Sequence, residues 1–333
     1  MKKLFITFVF IAASLSSCSN DDDSKMATEL ILVTSSNTSG KVSYVDLLKT
    51  PTMVTSFAIS SLDAEGISYD SNSDNIIVAS RTNNRLEAYS GVKSAVVSGA
   101  TTLNLSFSGS NLDFTNARET AVSGDIVVVA QDQLASNGMT NKLFVYKRNA
   151  MGFTLLNSYT TDFKLWGIHI EGGDLYAVVD LTSDLVVFKD FMNNTSSTIS
   201  ATKRVSIEGL VRTHGITYST KDDMMVLTDV GSAASDSDGG LVFIKNFKTV
   251  FDATANMGKI ALSNQLRIYG PNSQLGNPVD VAYDYVSKTA YVAERLNGGG
   301  KVISFLIPKA SGDTSPLDVR SETGVTSIFI VRK

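Results

Sequence analysis

The stretch AEGISYDSNSDNIIVASRTNNRLEAYS, residues 64–90, decides the fold. It holds three short apolar runs separated by turn residues. GISYD alternates apolar and polar positions, the period of a half-buried strand. NIIVAS is continuously apolar, as in a strand buried on both faces. RLEAYS alternates again, and SNSDN and RTNN are hairpin turns. The unit is a three-strand meander, with a more polar fourth strand expected after it. A sheet this small cannot bury its own faces, so it needs neighbours of the same kind.

The chain supplies them. ETAVSGDIVVVAQD with NKLFVYKR (119–148), WGIHIEGGDLYAVVDLTSDLVVFKD (166–190), HGITYSTKDDMMVLTDVG with GGLVFIKNF (214–247) and VDVAYDYVSKTAYVAERLNGGGKVISF (279–305) repeat the order. Gly66, Thr120, Gly167, Gly215 and Asp280 then align. Their spacing is about 50 residues, longer where a Ser-, Asp- and Gly-rich loop (232–240) intervenes, and such a period is that of propeller blades. VTSIFIVRK (325–333) reads as a first strand with nothing after it. ELILVTSS (29–36) and KVSYVDL (41–47) read as second and third strands with nothing before them. Joined, they make a sixth blade and leave no open sheet edge at the ring closure. The expectation is an all-β, six-bladed β-propeller of four-stranded antiparallel blades, a single domain over residues 29–333. Seven blades is the alternative, should residues 250–277 conceal more strands.

The chain has 333 residues, with 29 Lys and Arg against 33 Asp and Glu, and no basic cluster. Nucleic acid is therefore not an expected partner. Lys2 and Lys3 precede an apolar run (4–14) too short to span a bilayer, and LSSC (15–18) resembles a bacterial lipobox. Cys18 is the only cysteine, which excludes an internal disulfide and fits a site of lipidation. Residues 1–17 are expected to be a lipoprotein signal peptide, and 18–28 a lipidated flexible tether. The acidic run SNDDDS (19–24) resembles the signal that exports some outer-membrane lipoproteins to the cell surface. Facing the periplasm is the alternative. Membrane contact is expected through the lipid anchor only.

In such a meander the first strand starts, and the second ends, at one face of the disc. Those positions ring one mouth of the channel. Starts are Glu65, Glu119, Trp166, His214, Val279 and Thr326; ends are Ser35, Ser80, Gln131, Asp180, Asp229 and Glu294. Arg81, Asp132 and Arg295 lie beside them. The candidate ligand-binding residues are Glu65, Arg81, Glu119, Trp166, Asp180, His214, Asp229, Glu294 and Arg295. Convergent polar groups at a ring-shaped mouth point to a binding or scaffold module for a glycan, peptide or surface protein. No catalytic residue is assigned, and neither G-x-S-x-G nor H-E-x-x-H occurs. The recurring aromatics Tyr69, Tyr89, Tyr146, Phe188, Tyr218, Tyr283 and Phe305 are expected to pack between blades, and His169 to pack there or, alternatively, to face the channel.

GNPVDVAYDYVSKTAYVAE resembles an NHL-type repeat. EGISYD is similar to the EGP-x-W opening of the senescence-marker/gluconolactonase family, and THGITYS to that family's PNGIAFS. The resemblance implies an alternative function, a metal-dependent lactonase-like hydrolase with Ca²⁺ or another divalent ion in the channel. The family holds its ion with a Glu at the EGP position, asparagines opening later blades, and an Asp. Glu65 matches the Glu, His214 stands where PNG offers Asn, and Asp229 is the available acid. Trp166 fills another of the asparagine places.

Overall fold

The computed structural model describes residues 27–109 and 113–333. The expected signal peptide, the Cys18 lipidation site and the acidic run lie outside the described residues. Six sheets, each built on four antiparallel strands, form six blades of a propeller. In blade order their inner strands are Val325–Arg332, Ala64–Asp70, Ala117–Ser123, Leu165–Glu171, Ile216–Ser219 and Pro278–Asp284. The opening stretch is blade 2: Ala64–Asp70, Asn75–Ser80 and Arg85–Ser90 in order, then a short fourth strand, Phe107–Ser108.

Blade 1 is made from both ends of the chain. Val325–Arg332 pairs antiparallel with Leu30–Ser36, from Leu30 opposite Arg332 to Ser36 opposite Val325. Beyond the strands, Thr28 N and Glu29 N donate to Lys333 O at 2.7 and 3.2 Å, and Lys333 N donates to Glu29 O at 3.0 Å.

No seventh blade forms. Residues 250–277 instead contain the end of a short helix, Phe247–Ala253, and two strands that join existing sheets. Lys259–Ile260 pairs parallel with Lys203–Ile207 on the outside of blade 4. Leu266–Tyr269 is the fourth strand of blade 5. Both strands are too short to make a sheet of their own.

The core lies between blades. Val33, Val42 and Phe57 of blade 1 pack with Ile67, Ile76, Val78 and Tyr89 of blade 2, and the same arrangement recurs around the ring. Tyr89, Tyr146, Phe188 and Phe305, which close the third strands, are fully buried. Tyr44 meets Tyr69 edge-on at 5.6 Å across the boundary of blades 1 and 2, and Tyr176 meets Tyr218 at 5.3 Å across that of blades 4 and 5. Such edge-to-face pairs add to plain area burial.

The inner strands approach one another more closely than side chains allow. A Cβ on Gly167 would lie 2.0 Å from the His214 carbonyl oxygen, and one on Gly66 2.7 Å from Thr120 N. A Cβ on Gly215 would lie 2.7 Å from Asp280 Cα. The aligned positions of adjacent blades thus touch around the axis. Gly167→Ala should therefore destabilise the fold by at least the ~1–3 kcal/mol typical of overpacking. Gly312→Ala, which would place a Cβ in open space, should be near neutral. Urea unfolding midpoints check this; equal midpoints for the two variants would contradict the close convergence.

Candidate functional site

Five inner strands carry a β-bulge near their start. The register shifts between Ala64 and Ile67, Ala117 and Glu119, Leu165 and Ile168, Pro278 and Asp280, and Val325 and Ser327. Bulges lift residues off the ladder and re-aim their side chains. Here Glu65, Arg118, Trp166, Val279 and Thr326 are the residues so released.

At the centre of the mouth, the Trp166 indole and His214 imidazole stack at 3.6 Å with 6° between their planes. The Arg118 guanidinium lies 4.2 Å from the indole centroid and that of Arg212 lies 5.8 Å from it. Asp180 anchors this group. Its Oδ1 accepts from Arg212 Nε at 2.8 Å and from His214 Nε2 at 3.1 Å. Arg118 pairs with Asp132 at 3.2 Å, and Lys164 lies between Asp132 and Asp180 at 3.8 and 3.6 Å. Arg81 pairs with Glu65 at 3.0 Å, and Asn37 donates to the same oxygen at 3.0 Å. Arg295 stands near enough for its charge to act on Asp63.

The charges are layered. The carboxylates are buried, with Asp132 4 % and Asp180 1 % exposed at the side chain, whereas Arg118, Lys164 and Arg212 retain 17, 31 and 18 %. Solvent therefore meets cations, with their counter-ions beneath. Several buried polar atoms have no hydrogen-bond partner: Asp132 Oδ1, Asp180 Oδ2, Arg118 Nε and His214 Nδ1. Burial lowers the His214 pKa to about 4, against the pull of Asp180, with Arg212 and Arg118 lowering it further. The ring is thus neutral at pH 7. With Nε2–H donated to Asp180, Nδ1 is an open acceptor. Asp180 is held well below the usual carboxylate range by its bonds to His214 and Arg212, which outweigh burial.

The mouth brings Glu65, Arg81, Trp166, Asp180, His214 and Arg295 to one face, but other candidates serve the backbone. Asp229 is fully buried; it accepts from the N–H groups of Val211, Arg212 and Gly231 and from the Tyr269 hydroxyl. Glu294 is likewise buried and accepts from Gly276, Asn277, Leu296 and Asn297 N–H groups. His214 pairs with Asp180 of the preceding blade, not with Asp229 of its own. Among the described residues no three His, Cys, Asp or Glu side chains gather to hold a metal ion, and Glu65, His214 and Asp229 keep separate partners.

Glu119 lies deeper, with Asp280, where the inner strands line a cavity of about 260 Å³. Burial pushes the Asp280 carboxyl up to about 7. Burial, then the Asp280 charge, raises Glu119 well above the carboxylate range. His169 also lines this cavity, which is the alternative place expected for it, and its Nε2 has no partner.

Arg118, Lys164 and Arg212 escaped the sequence reading. Their signal was present: each stands one or two positions before the aligned inner-strand starts Glu119, Trp166 and His214.

No family profile and no curated protein sequence matches the chain. Solved structures do. A chain from a nidogen/laminin complex superposes with a TM-score of 0.60 at 13% identity, covering 90% of this chain and 98% of that one. A candidate 6-phosphogluconolactonase from Bacteroides uniformis superposes with a TM-score of 0.57 at 9% identity, covering 91% and 99%. At these identities the likeness is one of fold.

The raised carboxyls set a pH dependence. A carboxyl whose native pKa lies above its unfolded value binds more protons in the native state, so stability falls as pH rises through the native value. His214, lowered from 6.5 to about 4, acts oppositely, but only below 6.5. The thermal midpoint should therefore fall as pH rises from about 6.5 through the Asp280 value of about 7, and Glu119→Gln should flatten that fall. A wild-type midpoint that rises over this range would show the pair to be ionised and compensated.

Proposed function

We propose that the protein is a lipid-anchored cell-envelope binding module that holds an anionic group of its partner at this mouth. One observation carries the reading: the half-buried Arg118, Lys164 and Arg212 over buried Asp132 and Asp180. Rigid, half-desolvated guanidinium groups suit carboxylate, sulfate or phosphate. The stacked Trp166 and His214 fix their positions, so little ordering remains to be done on binding. Acidic glycans and acidic peptides both carry this chemistry. A propeller chain from a nidogen/laminin complex supports the use of such a disc in protein assembly. Cys18 would supply the anchor.

Calorimetric titration with acidic and neutral oligosaccharides, and with acidic peptides, tests the reading. An acidic ligand should bind, weaken with added salt, and lose at least tenfold in affinity in Arg118→Gln/Arg212→Gln, with folding checked by circular dichroism. Equal binding of neutral ligands, or no salt dependence, overturns it. Cys18→Ser should move the protein from the membrane to the soluble fraction. Ca²⁺ titration with a lactone-hydrolysis assay tests the alternative reading, which requires binding and turnover together.

A further inference from the structure

Below the mouth, the channel has a different chemistry. Its cavity, about 260 Å³, is walled by Ile67, Ala121, Ile168, Ile216, Val281 and Ile328. Glu119 and Asp280 lie toward the mouth end, and Glu171 and Ser219, the last residues of their inner strands, at the opposite face. The two carboxyls are hydrogen-bonded to each other. Each also caps backbone: Glu119 accepts from Thr120 N at 2.7 Å, and Asp280 from Val281 N and Ile328 N, both at 2.7 Å.

Capping does not account for the whole cavity end. Thr120 lines the cavity and is only 7 % exposed, yet its hydroxyl has no partner. A buried hydroxyl is normally satisfied. Two carboxyls and an unpartnered hydroxyl thus end a tube whose aliphatic walls are interrupted by His169, Thr217 and Tyr218, and Arg81, which compensates Glu65, pairs with neither of the two.

We propose that this channel binds a primary ammonium ion with an apolar body, its nitrogen at Glu119, Asp280 and Thr120 and its body along the isoleucine walls. An ammonium has three N–H donors, matching three acceptor groups. A hard divalent cation requires six to eight oxygen ligands, and among the described residues no third acidic or imidazole side chain joins the pair to make such a cluster. The ligand enters from the face opposite the mouth, so this site is separate from the anion site. The ammonium replaces the proton that the pair shares, and that proton passes to the buffer.

Titration of the full chain with n-hexylammonium, against n-hexanol and CaCl₂, tests the proposal. Wild type should bind hexylammonium at least tenfold more tightly than hexanol and release a proton near pH 6.5, read from heats in buffers of different ionisation enthalpy. Glu119→Gln should weaken binding at least tenfold. Ser219→Trp, which narrows the far opening, should block it. Hexanol binding as tightly as hexylammonium, undiminished binding in Glu119→Gln, or Ca²⁺ displacing hexylammonium overturns the proposal. Should Glu119→Gln fail to fold, proton release by wild type and the Ser219→Trp result decide: absence of release or unblocked binding overturns it.

Discussion

In a ring of blades, each innermost strand has one edge with no strand beside it. Its backbone N–H groups are buried near the axis and still require acceptors. The chain answers with side chains. Ser327 Oγ accepts from Gly66 N at 2.6 Å. Asp280 of blade 6 accepts from Ile328 N of blade 1, and Ser327 of blade 1 from Gly66 N of blade 2. These bonds cross blade boundaries, so they satisfy the axis and tie the ring together. The glycines are the steric side of the same constraint, since they stand where neighbouring strands come within reach of each other's backbone.

Acidic groups drawn to the axis meet two fates, decided by whether a cation can reach them. At the mouth, Arg81, Arg118, Lys164 and Arg212 arrive from strand starts and ends, and Glu65, Asp132 and Asp180 pair with them. One layer deeper the walls are largely aliphatic and, among the described residues, no cation pairs with Glu119 or Asp280; burial raises both carboxyls instead, which favours their protonated form. Taking a carboxylate out of water costs several kcal/mol unless a partner or a proton offsets it. A protein of net charge −4 therefore presents a cationic mouth above an acidic, partly neutralised shaft.

The blade pattern was legible because continuously apolar second strands, as in NIIVAS and MMVLTD, recur between turn residues. The closure was legible because the terminal segments complement each other as strands. The site was legible only in part. Trp166 and His214 fell at aligned positions, but alignment cannot reveal that their rings stack, nor that His214 chooses Asp180 from the preceding blade. The bulges move Arg118 off the ladder, and a bulge leaves little mark in a short strand. Asp229 and Glu294 looked like Asp180 in sequence. They differ because backbone N–H groups of adjacent loops fold over them.

The meeting of Thr28, Glu29 and Lys333 sets a direction for the whole disc. Leu30 lies opposite Arg332, at the end of the innermost strand of blade 1, and Ser36 lies opposite Val325, at its start. The chain thus leaves the propeller toward its N-terminus from the face on which the inner strands end. Were Cys18 acylated, as we propose, that face would be the one tethered to the bilayer. The arginine-lined mouth would then point away from it. The shaft would open toward the lipid, where anionic headgroups enrich cations. The two sites we assign would sample two different solutions from one rigid body.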